Sequence, residues 1–291
     1  YTLADATAAS KPKYKPFVLA SKAAGSMSDT ISQVSAKLEG AGLEIVGSHT
    51  PYPTATILVV TNDDMKAFAA KSNHGGFGAA QRVAVTDHNG EIQVSYTNPT
   101  YMASAYRMDG DYAFASKLLE GALGKIEEYG MDGGMTDSDL RDYHYMFGME
   151  YFTDPTYLSR FHNHADAVAS IEKGLAAGVM GITKVYRIDI PGKEEVVFGV
   201  AMDGSKGDGE QQDDSFLMSE IDFKDIRSSA HLPYEMIVAK NKVYSLSARF
   251  RIAINFPDLS MMGDNSFMNI QGCPKAIKTA LTMAAGDVWA K

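Results

Sequence analysis

The sequence predicts an α+β fold of two similar domains, because one helix pattern occurs twice and strand patterns follow it each time. Ser28 to Gly42 reads SDTISQVSAKLEGAG, and Ala165 to Gly178 reads ADAVASIEKGLAAG. Apolar residues in both segments are spaced three and then four apart, which places one apolar stripe on a helix that ends near a glycine. The stripe residues are Ile31, Val34 and Leu38 in one copy and Val168, Ile171 and Leu175 in the other. We expect each domain to be a small, mainly antiparallel sheet with helices packed on it, the two in a pseudo-two-fold arrangement.

The first domain is predicted over residues 12–130. Ser26 and Ser28 are suitable N-caps for its first helix. Asn89-Gly90 between two β-branched runs indicates a hairpin. The closing segment, Tyr112 to Tyr129, is expected to form one helix. Apolar stretches lie at Phe17 to Ala20 and Leu43 to Val46, and strands are expected at Thr56 to Val60, Arg82 to Thr86 and Glu91 to Thr97.

The second domain is predicted over residues 155–291 and repeats this order. A polar, Gly-rich insert at 203–214 is expected to be a solvated surface loop. Pro99 and Pro257 are expected to end the last strand of each copy at the same place, because proline cannot donate to a strand ladder. The strands are expected at Ile182 to Ile190, Val196 to Val200, Tyr234 to Val238 and Val243 to Ile254, and the closing helix at Ala276 to Ala285.

A helical connector is predicted over residues 131–154. Thr136 followed by Asp139 resembles a capping box. Leu140, His144 and Phe147 then fall on one helical face, which indicates a structured segment and not a flexible linker.

The stretch from Thr56 to Met102 resembles a known family. It contains ILVVTN, a Gly-rich loop, RVAVTDHNGEIQVSY and then Asn-Pro, and in these features it is similar to the domain-of-unknown-function family 302. The resemblance covers roughly Phe17 to Met102 in the first copy and is looser in the second, so the chain reads as a tandem repeat. It implies a compact α+β domain that tends to pair and has no established reaction. Two copies in one chain are then expected to form an internal pseudo-dimer.

Composition places limits on function. The 291 residues carry a formal net charge of -9, so no broad basic surface is expected for nucleic acid. No apolar run approaches the ~20 residues that cross a bilayer, so we expect no membrane span. The chain begins with Tyr1 and a small, polar segment. This favours a periplasmic or secreted protein from which a leader has been removed, and the alternative is a chain that was trimmed at its start.

Three histidines are candidate metal ligands. His162 and His164 lie two apart, so an extended segment would point both imidazoles to one face, an arrangement that suits zinc or copper. Capping or surface histidines are the alternative reading. His74 precedes Gly75 and Gly76, in a run that lacks the strand and helix of a dinucleotide-binding loop. We interpret the run as a tight turn, with His74 as a ligand-facing side chain.

A second candidate lies in the connector. His144, Met146 and Met149 are the kinds of side chain that hold haem or copper. Packing between the two domains is the alternative, since aromatic and methionine residues at helical spacing usually form core.

Two further groups are assigned structural roles. Cys273, the single cysteine, excludes an intrachain disulfide. It lies at a helix start, where the dipole can lower a thiol pKa, yet no histidine or acid stands at a catalytic spacing. The carboxylates of 203–214 do not match an EF-hand.

These patterns predict a binding protein without a catalytic centre, holding a small molecule or a metal in the groove between the two copies. A structural module that forms homo-oligomers is the alternative, and an enzyme that uses histidine and carboxylate as acid and base is a third reading. No Gly-x-Ser-x-Gly elbow is present.

Overall fold

The chain forms an α+β structure with two antiparallel sheets, seen in a computed structural model that describes residues 10–286. The first sheet has six strands in the order β2-β3-β4-β5-β1-β6, and the second has five in the order β7-β11-β10-β9-β8. The strands of the first sheet are β1 Phe17–Ala24, β2 Glu44–Tyr52, β3 Ala55–Thr61, β4 Gln81–His88, β5 Glu91–Thr97 and β6 Glu127–Tyr129. Those of the second are β7 Thr156–Arg160, β8 Ile182–Asp189, β9 Glu195–Met202, β10 Tyr234–Ala239 and β11 Lys242–Ser245.

Helices pack on both sheets. The helices are α1 Met27–Gly40, α2 Asp63–Ala70, α3 Pro99–Ala105, α4 Ala113–Leu123, α5 Asp137–Arg141, α6 His164–Ala176, α7 Asp214–Ile221, α8 Ala248–Asn255 and α9 Cys273–Ala285. Helix α1 packs beside α4, and α6 packs beside α9. The apolar stripes predicted for α1 and α6 are confirmed, since Leu38, Ile171 and Leu175 are buried. Ser26 is the N-cap of α1, as predicted.

The two sheets share one strand order. Without the short edge strand β6, the first sheet runs β2-β3-β4-β5-β1, and the second, read from its other end, runs β8-β9-β10-β11-β7. Each strand of one sheet therefore has a counterpart at the same place in the other. The hairpin predicted at Asn89-Gly90 is confirmed, and both residues have positive φ.

The inner faces of the sheets pack against each other. On β4, Arg82, Ala84 and Thr86 alternate with Val83 and Val85, which belong to the core shared with α1. Ile57 and Val59 of β3 lie on the inner face as well, because they stand opposite Ala84 and Arg82 in the sheet. We call the six-stranded sheet with its helices the first unit, and the five-stranded sheet with its helices the second unit. The second sheet contributes Tyr186, Ile188, Val197 and Ile237, all packed into the core of the first unit. The core is thus continuous across both units.

A buried ion cluster crosses this interface. Arg82 Nη1 donates to Glu235 Oε1 at 2.9 Å, and Arg251 Nη2 lies 3.2 Å from Glu235 Oε2. All three side chains are at most 7% exposed. Arg251 also donates to the carbonyls of His231 and Pro233. One carboxylate therefore holds two guanidinium groups from different elements.

The strand predicted over Val243 to Ile254 is wrong beyond Ser245. Strand β11 ends there, and α8 begins at Ala248. Seven of the eight residues of α8 are buried, and Arg249 is exposed. Burial on every side overrides the β-propensity of Ile252 and Ile254, because tertiary packing outweighs a preference of this size.

The proposed equivalence of Pro99 and Pro257 is also wrong. Pro99 is the first residue of α3, where its missing N–H costs nothing. Pro257 instead follows the end of α8.

The helical connector is much shorter than predicted. Within 131–154, only Asp137–Arg141 is helical, although the capping box of Thr136 and Asp139 is present. His144 and Phe147 lie beyond the helix, and Phe147 is fully exposed. After α5 the chain is held by the hydroxyl of Tyr143, which donates to the Ala253 carbonyl at 3.2 Å. The residues after α5 are therefore joined to α8 although they are not helical.

Two other segments differ from expectation. The helix predicted to reach Tyr129 ends at Leu123, because Gly124 has φ 91°, and the chain then forms β6. The insert at 203–214 is not wholly solvated, since Gln212 and Asp214 are buried. Asp214 Oδ2 lies 2.8 Å from His49 Nε2 of the first unit, so the end of the insert joins the two units.

No helix within residues 10–286 is long and apolar enough to cross a membrane. Tyr1, on which the export prediction rests, lies outside the described residues.

We expect Gly47→Ala to destabilise the contact between the sheet edges. A methyl group on Gly47 of β2 would lie 2.3 Å from the Val185 carbonyl oxygen and 2.9 Å from Tyr186 Cβ. Backbone atoms cannot yield as a flexible side chain does, so urea unfolding should show a loss of about 1–3 kcal/mol. Gly121→Ala in α4 is the control, because nothing lies within 4 Å of the added methyl. It should gain about 0.5–1 kcal/mol, and an equal gain at Gly47 would contradict the close approach.

Candidate functional site

Two clefts lie where strand turns of one unit meet a loop of the other. The first, here the acidic cleft, has a volume of about 360 Å³. Its first-unit side comprises the β2–β3 turn, with Tyr52, and the β4–β5 turn, with His88. Its second-unit side is α7 and the loop that follows, with Asp222 and Arg227.

The second, here the basic cleft, lies between turns of the second unit and a loop of the first, and its volume is about 520 Å³. Turns of the second unit supply Lys193, between β8 and β9, and Lys240 and Lys242, at the β10–β11 turn. The loop after α2 supplies His74. Because the two sheets share one strand order, the clefts occupy equivalent places in the fold.

Asp222 is the central residue of the acidic cleft. It caps the end of α7 and is 7% exposed. Its Oδ1 accepts from the Ser228 N–H at 2.8 Å. Burial raises the pKa of this carboxyl to about 6, although the Ser228 hydrogen bond and the Arg227 charge oppose the shift. A carboxyl with such a pKa changes charge near neutrality, which is a property of binding and catalytic groups.

An apolar pocket of about 180 Å³ adjoins the acidic cleft at Asp222, which lines both. Its walls include Tyr129, Phe223 and Phe256, and Asp258 and Lys224 also line it. We call the pocket and the acidic cleft together the Asp222 site. The combination of an apolar chamber and a few polar groups is typical of small-molecule sites.

Arg227 is fixed to the first unit. Its Nε donates to His88 Nδ1 at 3.3 Å, and its backbone N–H donates to Gln93 Oε1 at 2.9 Å. Its Nη1 donates to the Asp222 carbonyl. His88 Nε2 in turn lies 3.8 Å from Asp225 Oδ1. These bonds hold the loop after α7 in place and occupy much of the guanidinium.

The hydroxyls of the acidic cleft do not form a nucleophilic centre. Ser229 Oγ lies 3.2 Å from the Tyr52 hydroxyl and 3.1 Å from Thr86 Oγ1, and its contact with Asp222 Oδ2 is long, at 3.4 Å. No imidazole is among these partners. Burial, and then the Asp222 charge, raise the pKa of Tyr52, so the phenol stays protonated. The arrangement suits binding better than covalent catalysis.

His74 lines the basic cleft, and its predicted role as a ligand-facing residue stays a prediction. Its ring centroid is 5.2 Å from that of Tyr244. Burial, and then the Lys193 charge, lower the pKa of its imidazole, so His74 is neutral at physiological pH.

The three predicted metal ligands are not brought together as a set. His164 is the first residue of α6, and its Nδ1 donates to the Lys240 carbonyl at 2.8 Å. His164 thus contacts the backbone of Lys240, which lines the basic cleft together with His74, but does not itself line the cleft. Within residues 10–286, no group of three or more His, Cys, Asp or Glu side chains is arranged to hold a metal. Zinc or copper binding by His162, His164 and His74 stays a prediction.

The predicted haem or copper ligands lie on the surface. His144 and Met149 line a shallow hollow, and the His144 ring is 4.4 Å from that of Tyr151. Met149 Sδ accepts from Arg249 at 4.0 Å. Met146 is 45% exposed. The three residues lie apart from both clefts, and their role as cofactor ligands also stays a prediction.

Cys273 is a buried thiol at the start of α9. Burial raises its pKa to about 12, so the helix dipole does not produce a reactive thiolate. Its Sγ donates weakly to Gln211 Oε1 at 3.5 Å.

Sequence reasoning missed Asp222, Arg227, His88 and Lys193. His88 stood in a recognised hairpin turn, which is where functional side chains often lie. The other three carry no local pattern.

The fold defines an α+β protein with two facing antiparallel sheets and clefts between its units. Among solved structures it is similar to the crystal structure of an uncharacterized conserved protein DUF302 from Bacillus stearothermophilus. The two are 19% identical, the match covers 37% of this chain and 94% of that chain, and the TM-score is 0.34. No protein-family model and no curated protein matches the chain.

Proposed function

We propose that this protein binds a small organic amine at the Asp222 site, with the apolar part in the pocket and the ammonium group at Asp222. The observation that carries the proposal is a buried carboxyl, with a raised pKa, that joins an aromatic pocket to a polar cleft between the units. A positive ligand would lower the electrostatic cost of keeping that carboxylate buried and ionised.

The charges around the site favour a cation over an anion. Three carboxylates, Asp87, Asp222 and Asp258, line the pocket and cleft, against two cations, Lys224 and Arg227. The Arg227 guanidinium already donates to His88 and Asp222. Aromatic walls add an attraction for an ammonium group through their faces.

Calorimetry at pH 7.5 with benzylamine, benzyl alcohol and benzoate tests the proposal. We expect benzylamine to bind and the other two to bind at least tenfold more weakly, because only the amine complements the carboxylate. Asp222→Asn should abolish the preference for the amine. Asp264→Asn, at an exposed position outside both clefts, is the matched control and should bind normally. Equal affinity of benzylamine for the Asp222 variant would refute the assignment.

Binding should also depend on pH. With a pKa of about 6, Asp222 is mostly ionised at pH 7.5 and about one-tenth ionised at pH 5. Benzylamine affinity should therefore fall about tenfold between these pH values, with the amine itself protonated at both. A flat profile would exclude Asp222 as the binding group.

We also propose that the two units are tandem copies of one family-302-like fold. The shared strand order supports this, with the turns and loops of the two clefts in matching positions.

A further inference from the structure

We infer that the basic cleft is a second, separate binding site that takes an organic anion with a flat, aromatic body. The inference is independent of the Asp222 site, which lies between the β2–β3 and β4–β5 turns and the loop after α7. It rests on three observations: the charge of the cleft, the His74 and Tyr244 rings that line it, and the backbone conformation of His74 and Lys240.

The cleft is positive in a chain that is negative overall. Lys193, Lys240 and Lys242 line it, opposed by Glu194 and Glu195, whereas the chain has a net charge of -9. Lys193 Nζ donates to the Ser72 carbonyl and lies 3.9 Å from Glu195 Oε2. Neither Lys240 nor Lys242 has a carboxylate within 4.0 Å in the part of the chain that the structure describes. Two ammonium groups at the rim therefore remain available to an anion.

Two rings, His74 and Tyr244, line the cleft, and Phe77 and Tyr157 pack against them. His74 lies 5.2 Å from Tyr244 and 6.3 Å from Phe77, and Tyr244 lies 5.9 Å from Tyr157, measured between ring centroids. His74 and Tyr244 are half-buried, and Tyr157 is 48% exposed. Rings presented in this way offer stacking and edge contacts to a planar ligand. A spherical anion such as phosphate would use the lysines but not the rings.

Two of the residues that line the cleft have an uncommon backbone conformation. His74 has φ 53° and Lys240 has φ 55°, both in the left-handed region that side chains other than glycine rarely adopt. The backbone at both places is hydrogen-bonded: the Gly76 N–H, two residues after His74, donates to Glu195 Oε1 at 2.8 Å, and the Lys240 carbonyl accepts from His164 Nδ1 at 2.8 Å. Unfavourable conformations held by their surroundings are concentrated at functional sites. The backbone from which the Lys240 and His74 side chains project is thus fixed before any ligand arrives.

The test is calorimetry with 2-naphthoate, 2-naphthamide, cyclohexanecarboxylate and inorganic phosphate at low salt. We expect 2-naphthoate to bind at least tenfold more tightly than the other three, since only it offers both a charge and a flat ring system. The Lys240→Gln/Lys242→Gln double variant should weaken 2-naphthoate about tenfold, and Tyr244→Leu should remove its advantage over cyclohexanecarboxylate.

The control removes equal charge elsewhere. Lys22→Gln/Lys37→Gln alters two exposed lysines that do not line the cleft and should leave 2-naphthoate affinity within twofold. Asp222→Asn should also leave it unchanged, which separates this site from the Asp222 site. Absence of 2-naphthoate binding at millimolar concentration, equal loss in both lysine pairs, or phosphate binding as tightly as 2-naphthoate would overturn the inference.

Discussion

Glu235→Gln is expected to lower the free energy of unfolding by about 3–5 kcal/mol. Glu235 is the one carboxylate between Arg82 and Arg251, and all three side chains are buried. Neutralising it leaves two guanidinium groups close together without a counter-charge, where water cannot solvate them. Urea unfolding at pH 7 measures the loss.

Two further variants isolate the cause. Glu194→Gln, an exposed neighbour of β9, should change stability by less than about 0.5 kcal/mol. Adding Arg82→Met to Glu235→Gln should recover part of the loss, because one of the two unpaired charges is removed. If the double variant is no more stable than Glu235→Gln alone, like-charge repulsion is not the cause.

Asp222→Asn is expected to stabilise the fold while it removes amine binding. The folded pKa of Asp222 is about 6, raised by burial from the model-peptide value of 3.8. Because the folded pKa lies above the unfolded one, ionisation of Asp222 costs the native protein stability as pH rises from about 4 to above 6. Asparagine resembles the neutral form and avoids this cost, so the variant should be about 2–3 kcal/mol more stable at pH 7.5.

The difference between the two proteins should vanish below about pH 4, where Asp222 is protonated in both the folded and unfolded states. Urea unfolding at pH 7.5, 6 and 4 measures it, with Asp264→Asn as the control expected to follow the parent protein. Lower stability of Asp222→Asn at pH 7.5 would mean that the carboxylate is needed by the fold. Together with the lost amine affinity, a gain in stability would identify Asp222 as a group retained for binding at a cost to the fold.

The parts of the fold that were predicted from sequence are those with local periodic patterns. The stripes of α1 and α6, the Ser26 cap and the Asn89-Gly90 hairpin depend on residues a few positions apart, so the sequence displays them directly. One failure arose where burial surrounds a segment on nearly all sides. In α8, Ile252 and Ile254 favour a strand by propensity, yet a helix forms in which every residue but Arg249 is buried and Arg251 is paired with Glu235.

The residues of the two clefts also divide into those that a local sequence pattern indicates and those that only long-range contacts bring together. His74 was predicted to face a ligand from the turn around it, a local signal; it lines the basic cleft, and a bound ligand there stays a prediction. His88 and Arg227 are in contact although 139 positions separate them. No spacing rule in the sequence joins them, and the same holds for Lys193 and His74.

The sequence by itself therefore determined that the chain is an α+β protein with two sets of amphipathic helices and strands, since apolar spacing dictates which face of each element is buried. Only the tertiary structure decided that the sheets meet face to face, that a carboxyl at the end of α7 is buried beside an aromatic pocket, and that lysines of two turns converge near His74. The physical reason is that burial and charge proximity depend on distances in space, which the order of residues along the chain does not specify.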